Sequence, residues 1–331
     1  MKFEKIIGHD DVVNDLRNMV ENENINHAIL FEGIGGIGKK YTAELFAKSI
    51  LCEGDRVNCD SCRKCVQFSS NSNPDYLFIT SDNGTIKKEQ ISELINFLAI
   101  RPFDSKYKVV IVEHFHTATI DAQNALLKTL EEGPVYGKII LLSENSRSIL
   151  ETVLSRVKLY RFNPIPKLTL INYLVENFDI NENEAVFYVD FSNGSIGKSI
   201  KIIEDEHFKI TRKSILELFD RALKGQSDFV ISNINIINEQ ENLDEILDIY
   251  LTWLRDLLVL KDTGKVKYLI NRDMERLLFS ETHLSKKTIN NIKNNIVELK
   301  ENLKYNISKD LALELFFIDV LEECECKKQS V

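Results

Sequence analysis

Residues 27–51 read HAILFEGIGGIGKKYTAELFAKSIL: an apolar run, a glycine-rich turn, then a helix-forming stretch. Gly33-Ile34-Gly35-Gly36-Ile37-Gly38-Lys39-Lys40 fits the phosphate-loop pattern Gly-x4-Gly-Lys-[Ser/Thr] at every position but the last. Such a loop works because glycines let backbone N–H groups close around phosphate oxygens at a helix N-terminus while a lysine supplies charge. Gly33, Gly38 and Lys39 meet that requirement. The next residue should bring a hydroxyl to the magnesium ion that bridges the outer phosphates, and Lys40 cannot coordinate a cation. Thr42 comes two positions late, which turns it by about 200 degrees on a helix, so it faces away.

The same glycines spell Gly-x-Gly-x-x-Gly, the dinucleotide fingerprint. That reading needs an acidic residue about 20 positions on, at the end of a second strand, where this chain has a cysteine cluster. The phosphate loop is therefore preferred, over the dinucleotide reading and over a purely structural glycine turn. A phosphate-loop ATPase also needs a strand ending in Asp, usually followed by Glu, to hold magnesium and polarise water. Here the strand Val109 to Val112 ends in Glu113-His114. Glu113 has the length to reach a metal, but His114 replaces the carboxylate that would orient water. Two altered positions serving one reaction predict lost hydrolysis.

Outward from the loop, short apolar runs at His27 to Phe31, Asp75 to Ile79, Lys108 to Val112 and Lys138 to Leu142 alternate with helix-period stretches. This is the rhythm of a parallel sheet covered by helices, a doubly wound α/β domain. All five prolines lie at or before Pro166, so the second half is expected to be mostly helical. Ser214 to Leu223, Leu243 to Leu260 and Thr288 to Leu303 repeat apolar residues at helical spacing, with Trp253, Phe316 and Phe317 as core residues. The expected division is an α/β phosphate-loop domain over 1–163, a small helical domain over 164–206 and an all-α domain over 207–331.

The chain has 331 residues, 44% of them hydrophobic, a formal charge of -9 and a pI near 5.4. An acidic balance argues against wrapping nucleic acid by charge alone, since phosphate neutralisation needs an excess of Lys and Arg. No apolar run is long enough to span a bilayer and no signal core opens the chain, so the expectation is a cytoplasmic protein without a membrane partner.

Four of the six cysteines, Cys52, Cys59, Cys62 and Cys65, form a Cys-x6-Cys-x2-Cys-x2-Cys module over about 52–65. Four thiolates at short spacing suit a closed, structural tetrahedral Zn(II) site. An iron–sulfur cluster is the rival, although the further cysteine before a proline is missing.

Beyond Glu113 come Thr119-Ile120-Asp121-Ala122-Gln123-Asn124-Ala125-Leu126-Leu127-Lys128-Thr129-Leu130-Glu131-Glu132-Gly133-Pro134, the strand Lys138 to Leu142, and Leu154-Ser155-Arg156-Val157. With the phosphate loop and the cysteine module, this ordered set resembles the clamp-loader subunits of bacterial DNA polymerase III, an AAA+ family, and its delta-prime branch in particular. The likeness covers about residues 6 to 200. It implies that Ser155 and Arg156 match the family's Ser-Arg-Cys motif, whose arginine enters the ATP site of a neighbouring subunit, with Val157 in place of the cysteine. A sensor-one residue falls at Ser143 or Asn145. The second sensor, normally arginine in Gly-x-x-Gly-Arg, falls at Lys198 of Gly194-Ser195-Ile196-Gly197-Lys198, where charge is kept and the bidentate fork is lost.

The resemblance further implies a C-terminal collar domain, gamma/tau and delta subunits as partners, and the sliding clamp and primed DNA reached through the complex. It also implies a subunit that is not an ATPase by itself, acting within the polymerase holoenzyme, with Lys39 leaving room for bound ATP or ADP. An ATP-hydrolysing gamma-like motor, with Glu113 serving the metal, and a zinc-containing DNA-binding protein with a relic phosphate loop are the other readings.

Overall fold

A computed structural model describes residues 3, 6–54, 59–81, 84–238, 243–303 and 308–325. The chain divides into two compact units, one of residues 1–170 with 194–198, the other of 171–193 with 199–331.

The first unit is built on five parallel strands: β1 (Ala28–Glu32), β2 (Tyr76–Ile79), β3 (Lys108–Val112), β4 (Gly137–Ser143) and β5 (Lys158–Arg161). They lie in the order β2-β3-β4-β1-β5. Every residue of β3 and β4 is buried, as expected for central strands covered on both faces, and the apolar runs Val109–Val112 and Ile139–Leu142 form their centres. The helices α1 (Asp10–Glu21), α2 (Lys39–Leu51), α3 (Arg63–Ser69), α4 (Lys88–Ala99), α5 (Ile120–Glu132) and α6 (Glu151–Leu154) connect them. Leu94 and Leu98 of α4 and Leu126 and Leu130 of α5 sit four residues apart and present one apolar stripe each to the sheet, packing with Val110, Val112, Ile139 and Leu141. Thr119 caps α5, its hydroxyl accepting from the Ala122 amide at 3.2 Å.

The sequence misses one strand. β5 reads KLYR with only Tyr160 buried, so its single apolar anchor gives no run to detect.

From Lys167 on, the described residues are helical or connecting: α7 (Lys167–Asn177), α8 (Glu182–Phe191), α9 (Ile196–Glu204), α10 (Glu206–Leu223), α11 (Ser227–Asn233), α12 (Asn235–Asn238), α13 (Leu243–Thr263), α14 (Glu275–Ser280), α15 (Lys286–Asn302) and α16 (Lys309–Glu325). Trp253, Phe316 and Phe317 are core residues of the second unit as expected. Phe219 stacks on Tyr250 at 4.2 Å between ring centroids, and Tyr250 donates its hydroxyl to the Ile215 carbonyl at 3.1 Å. Among the described residues no helix is long and apolar enough to cross a membrane.

Candidate functional site

Sheet register assembles the site. Glu32 at the end of β1 lies beside Ser143 at the end of β4, and Val112 of β3 beside Leu141 of β4. The three chain segments that leave these strands therefore emerge together at the carboxyl edge, where open α/β sheets bind ligands. They are the glycine loop, Glu113-His114 and Ser143-Glu144-Asn145.

Within the loop, the peptide groups are sorted by polarity. Each carbonyl from Gly33 to Gly38 has a donor: Lys39 Nζ serves Gly33 and Ile34, Ser195 Oγ serves Gly35 at 2.8 Å, and the Gly197 amide serves Gly36 at 2.8 Å. His9 Nε2 serves Ile37 at 3.1 Å and the Thr42 amide serves Gly38 at 2.9 Å. The amides of Gly35, Gly36 and Gly38 have no acceptor among the described residues. A row of unpaired N–H groups ahead of the first turn of α2 is an anion cradle. Gly36 has φ 72°, and a Cβ there would lie 2.7 Å from Ser195 Oγ, so both conformation and space demand glycine. Gly197 is bound to the same contact, because its Cβ would meet the Gly36 carbonyl at 2.8 Å. Burial holds the Lys39 ammonium below the usual lysine range.

Where a cation would normally sit, two side chains of the chain meet each other. Lys40 Nζ lies 3.1 Å from Glu113 Oε2 and 4.4 Å over the Phe78 ring. Thr42 is fully buried and its Oγ1 has no hydrogen-bond partner among the described residues, so it offers no substitute hydroxyl to the loop.

Ser143 is buried and its hydroxyl donates to the Asn145 carbonyl, while Asn145 is exposed with its Oδ1 accepting from the Arg147 amide at 3.2 Å. Lys198 approaches the loop through its backbone, its amide donating to Ser195 Oγ at 3.3 Å.

Arg156 belongs to a different cluster. Buried Gln123 on α5 donates to the Ala118 and Ser148 carbonyls and accepts from the Leu150 amide, which fixes the segment leading into α6. Two turns along α5, Glu131 receives Arg156 Nε at 2.6 Å, and Arg156 Nη1 also reaches the Thr152 carbonyl at 2.6 Å and Ser155 Oγ at 3.0 Å. Among the described residues no hydrogen bond or ion pair joins Arg156 to the phosphate loop.

The four cysteines Cys52, Cys59, Cys62 and Cys65 converge, every sulfur within 4.8 Å of the others and none in a disulfide. Cys52 Sγ and Cys59 Sγ are 3.6 Å apart, Cys59 Sγ and Cys65 Sγ 3.9 Å. Tetrahedral coordination at a metal–sulfur distance of about 2.3 Å sets sulfurs about 3.8 Å apart, so the set fits one ion. Amides support the sulfurs: Cys62 N donates to Cys59 Sγ at 3.3 Å and Cys65 N to Cys62 Sγ at 3.4 Å. The donation from Cys62, with a second from Ser61, brings the Cys59 thiol down to about 6. Two buried lysines tie the module to the sheet domain, Lys48 to Asp60 and Ser69, Lys64 to Glu53 and the Asp104 carbonyl. Cys324 lies on α16, and Cys326 is outside the described residues.

Sequence reasoning named the loop and the cysteines but not the residues that hold them. Ser195 lay inside the quoted Gly194–Lys198 segment, whereas nothing in the sequence marked His9, whose partner lies in the loop 28 residues away.

The family described as "DNA polymerase III, delta subunit" matches residues 8–166. The DNA polymerase III subunit delta' of Bacillus subtilis (strain 168) is 29% identical over 301 residues, 88% of this chain and 90% of that protein. The subunit gamma of Buchnera aphidicola subsp. Schizaphis graminum is 31% identical over 211 residues, covering 61% of this chain and 57% of its own length. Among solved structures, a gamma subunit-related protein from Thermotoga maritima aligns over 93% of this chain and 99% of its own at 16% identity, with a TM-score of 0.45. With the parallel sheet, the phosphate loop and the cysteine module, the family match over residues 8–166 and the delta' relative make this chain similar to the DNA polymerase III clamp-loader subunits.

Proposed function

We propose that the chain is the delta-prime-type subunit of a cytoplasmic bacterial clamp loader. In this reading it does not hydrolyse ATP. It donates Arg156, backed by Ser155, to the ATP site of a neighbouring gamma/tau subunit and, with the delta subunit, helps place the sliding clamp on primed DNA. The observation that carries the non-hydrolysing part is the Lys40–Glu113 ion pair at the cation position. An ammonium paired with the carboxylate that follows β3 takes away that group as a magnesium ligand and fills the space beside it. The delta' relative is matched along 90% of its length and the gamma relative along 57%, which favours the delta-prime branch.

The free amides of Gly35, Gly36 and Gly38, together with Lys39, support binding of ATP or ADP without turnover, with Lys198 adding charge at the loop's edge. Zn(II) is the ion proposed for Cys52, Cys59, Cys62 and Cys65, in a closed structural site. For Arg156, the support is its separation from the chain's own loop and a surface position that a neighbouring subunit could reach. A planar, permanently charged fork suits bridging of phosphate oxygens in trans.

One experiment on the reconstituted loader addresses both halves. Lys39→Ala in this subunit is expected to leave DNA-stimulated ATPase unchanged, and Arg156→Ala to depress it at least about tenfold with assembly intact. Loss of turnover with Lys39→Ala, or full turnover with Arg156→Ala, would overturn the corresponding half.

A further inference from the structure

We propose that His114, His116 and Glu144 form a second metal centre, distinct from the cysteines, that takes a borderline divalent transition metal such as Co(II), Ni(II) or Zn(II). The donor atoms of the three side chains lie within 4.8 Å of one another. Around one ion at about 2.0–2.2 Å they would lie roughly 3–4 Å apart, a closure that side-chain rotation supplies. Two imidazoles and a carboxylate are a donor set for such metals, whereas magnesium takes oxygen ligands.

Three features of the fold build this cluster. β3 and β4 are hydrogen-bonded neighbours, so the segments leaving them, His114–His116 and Glu144, run side by side. His114 has φ 56°, a left-handed conformation that costs a β-carbon residue about 1 kcal/mol or more and persists only where the surroundings hold it. Phe115 provides that hold: it is fully buried, plugging the turn into the core while His114 and His116 stay outside, their rings edge to face at 5.8 Å. Glu144 lies against the phosphate loop, its Oε1 2.9 Å from where a Cβ on Gly35 would be.

One hydrogen bond among the described residues competes with ligation, and it is weak. The Glu144 amide donates to His116 Nδ1 at 3.3 Å, and ligation through Nε2 would place the ring proton on Nδ1 and release that long bond. Three protein ligands leave a coordination position open, beside a loop with three free amides.

The test uses the untagged full chain, its thiolate centre first filled with one equivalent of zinc and excess metal removed. Calorimetric titration with Co(II), followed in parallel by absorption, is expected to show one further equivalent with weak visible bands and no strong near-ultraviolet thiolate charge transfer. His116→Ala and Glu144→Ala are each expected to weaken that binding roughly tenfold or more, and so is His114→Asn, which tolerates the left-handed turn without an imidazole. Circular dichroism identical to the parent rules out misfolding as the cause. Absence of a second equivalent, unchanged affinity in the variants, or cobalt appearing in the thiolate centre would each overturn the proposal.

Discussion

A lysine in place of a hydroxyl changes what an atom at that point can attract. At position 40 a Ser or Thr oxygen would offer a lone pair to magnesium, whereas the Lys40 ammonium offers protons and draws Glu113 to 3.1 Å. The pair is half exposed on the lysine side, so as a surface salt bridge it contributes at most about 1 kcal/mol to stability. Its consequence is local: in the proposed reading, the ammonium engages the carboxylate that would otherwise be free to hold a metal. Lys40→Thr restores the hydroxyl and frees Glu113 in one change. Nucleotide affinity of the parent chain is then expected to be the same with magnesium or with EDTA, while the variant gains roughly tenfold with magnesium, read by calorimetry. A parent chain that already binds nucleotide more tightly with magnesium would defeat this account.

Elements act here by bringing distant residues into register, and the cysteine module shows how little structure can do this. The short helix α3 is preceded by Cys62, whose sulfur accepts the Cys65 amide, so the candidate metal ligand is also the helix cap. Stripping the metal, or Cys62→Ser, removes cap and cross-link together. Amides of Cys62–Ser69 are expected to exchange at least about tenfold faster with solvent while β1 and β4 keep their protection; unchanged exchange in α3 would mean that the module folds without its ion. The module was legible because cysteine spacing is local. β3 was legible to the residue, since Val109–Val112 is an unbroken apolar run and all five side chains of the strand are buried. α10 was read only from Ser214 although it begins at Glu206, because EHFKITRK is mostly charged surface with Phe208 and Arg212 turned inward. The His114, His116 and Glu144 cluster was beyond the sequence for another reason. His-x-His is visible, but its third member is 28 residues further on, and only the β3–β4 pairing puts it alongside.

For the molecule as a whole, a formal charge of -9 includes acids that do not ionise alike once buried. Glu281 in the second unit is fully buried, with Trp253 Nε1 donating to its Oε2 at 2.7 Å and, among the described residues, no donor at its Oε1. Burial, and Asp220 facing it, push the Glu281 carboxyl up to about 9, with Lys224 on Asp220 only partly offsetting the effect. Between the ordinary carboxylate range near pH 4.5 and about pH 9 the folded chain thus keeps a proton that the unfolded chain gives up. Stability of this unit is present in full below that window and falls as pH rises through it, by up to about 1.4 kcal/mol per pH unit, then levels off. Trp253 is the single tryptophan, so its fluorescence during urea unfolding reports the unit that contains Glu281. Glu281→Gln keeps an acceptor for the indole and a donor toward Asp220 without a titrating proton. The variant is expected to lose most of the decline between pH 5 and 9 and to be more stable than the parent at the alkaline end. Parallel pH profiles for the two chains would show that the proton on Glu281 plays no part in holding this unit together.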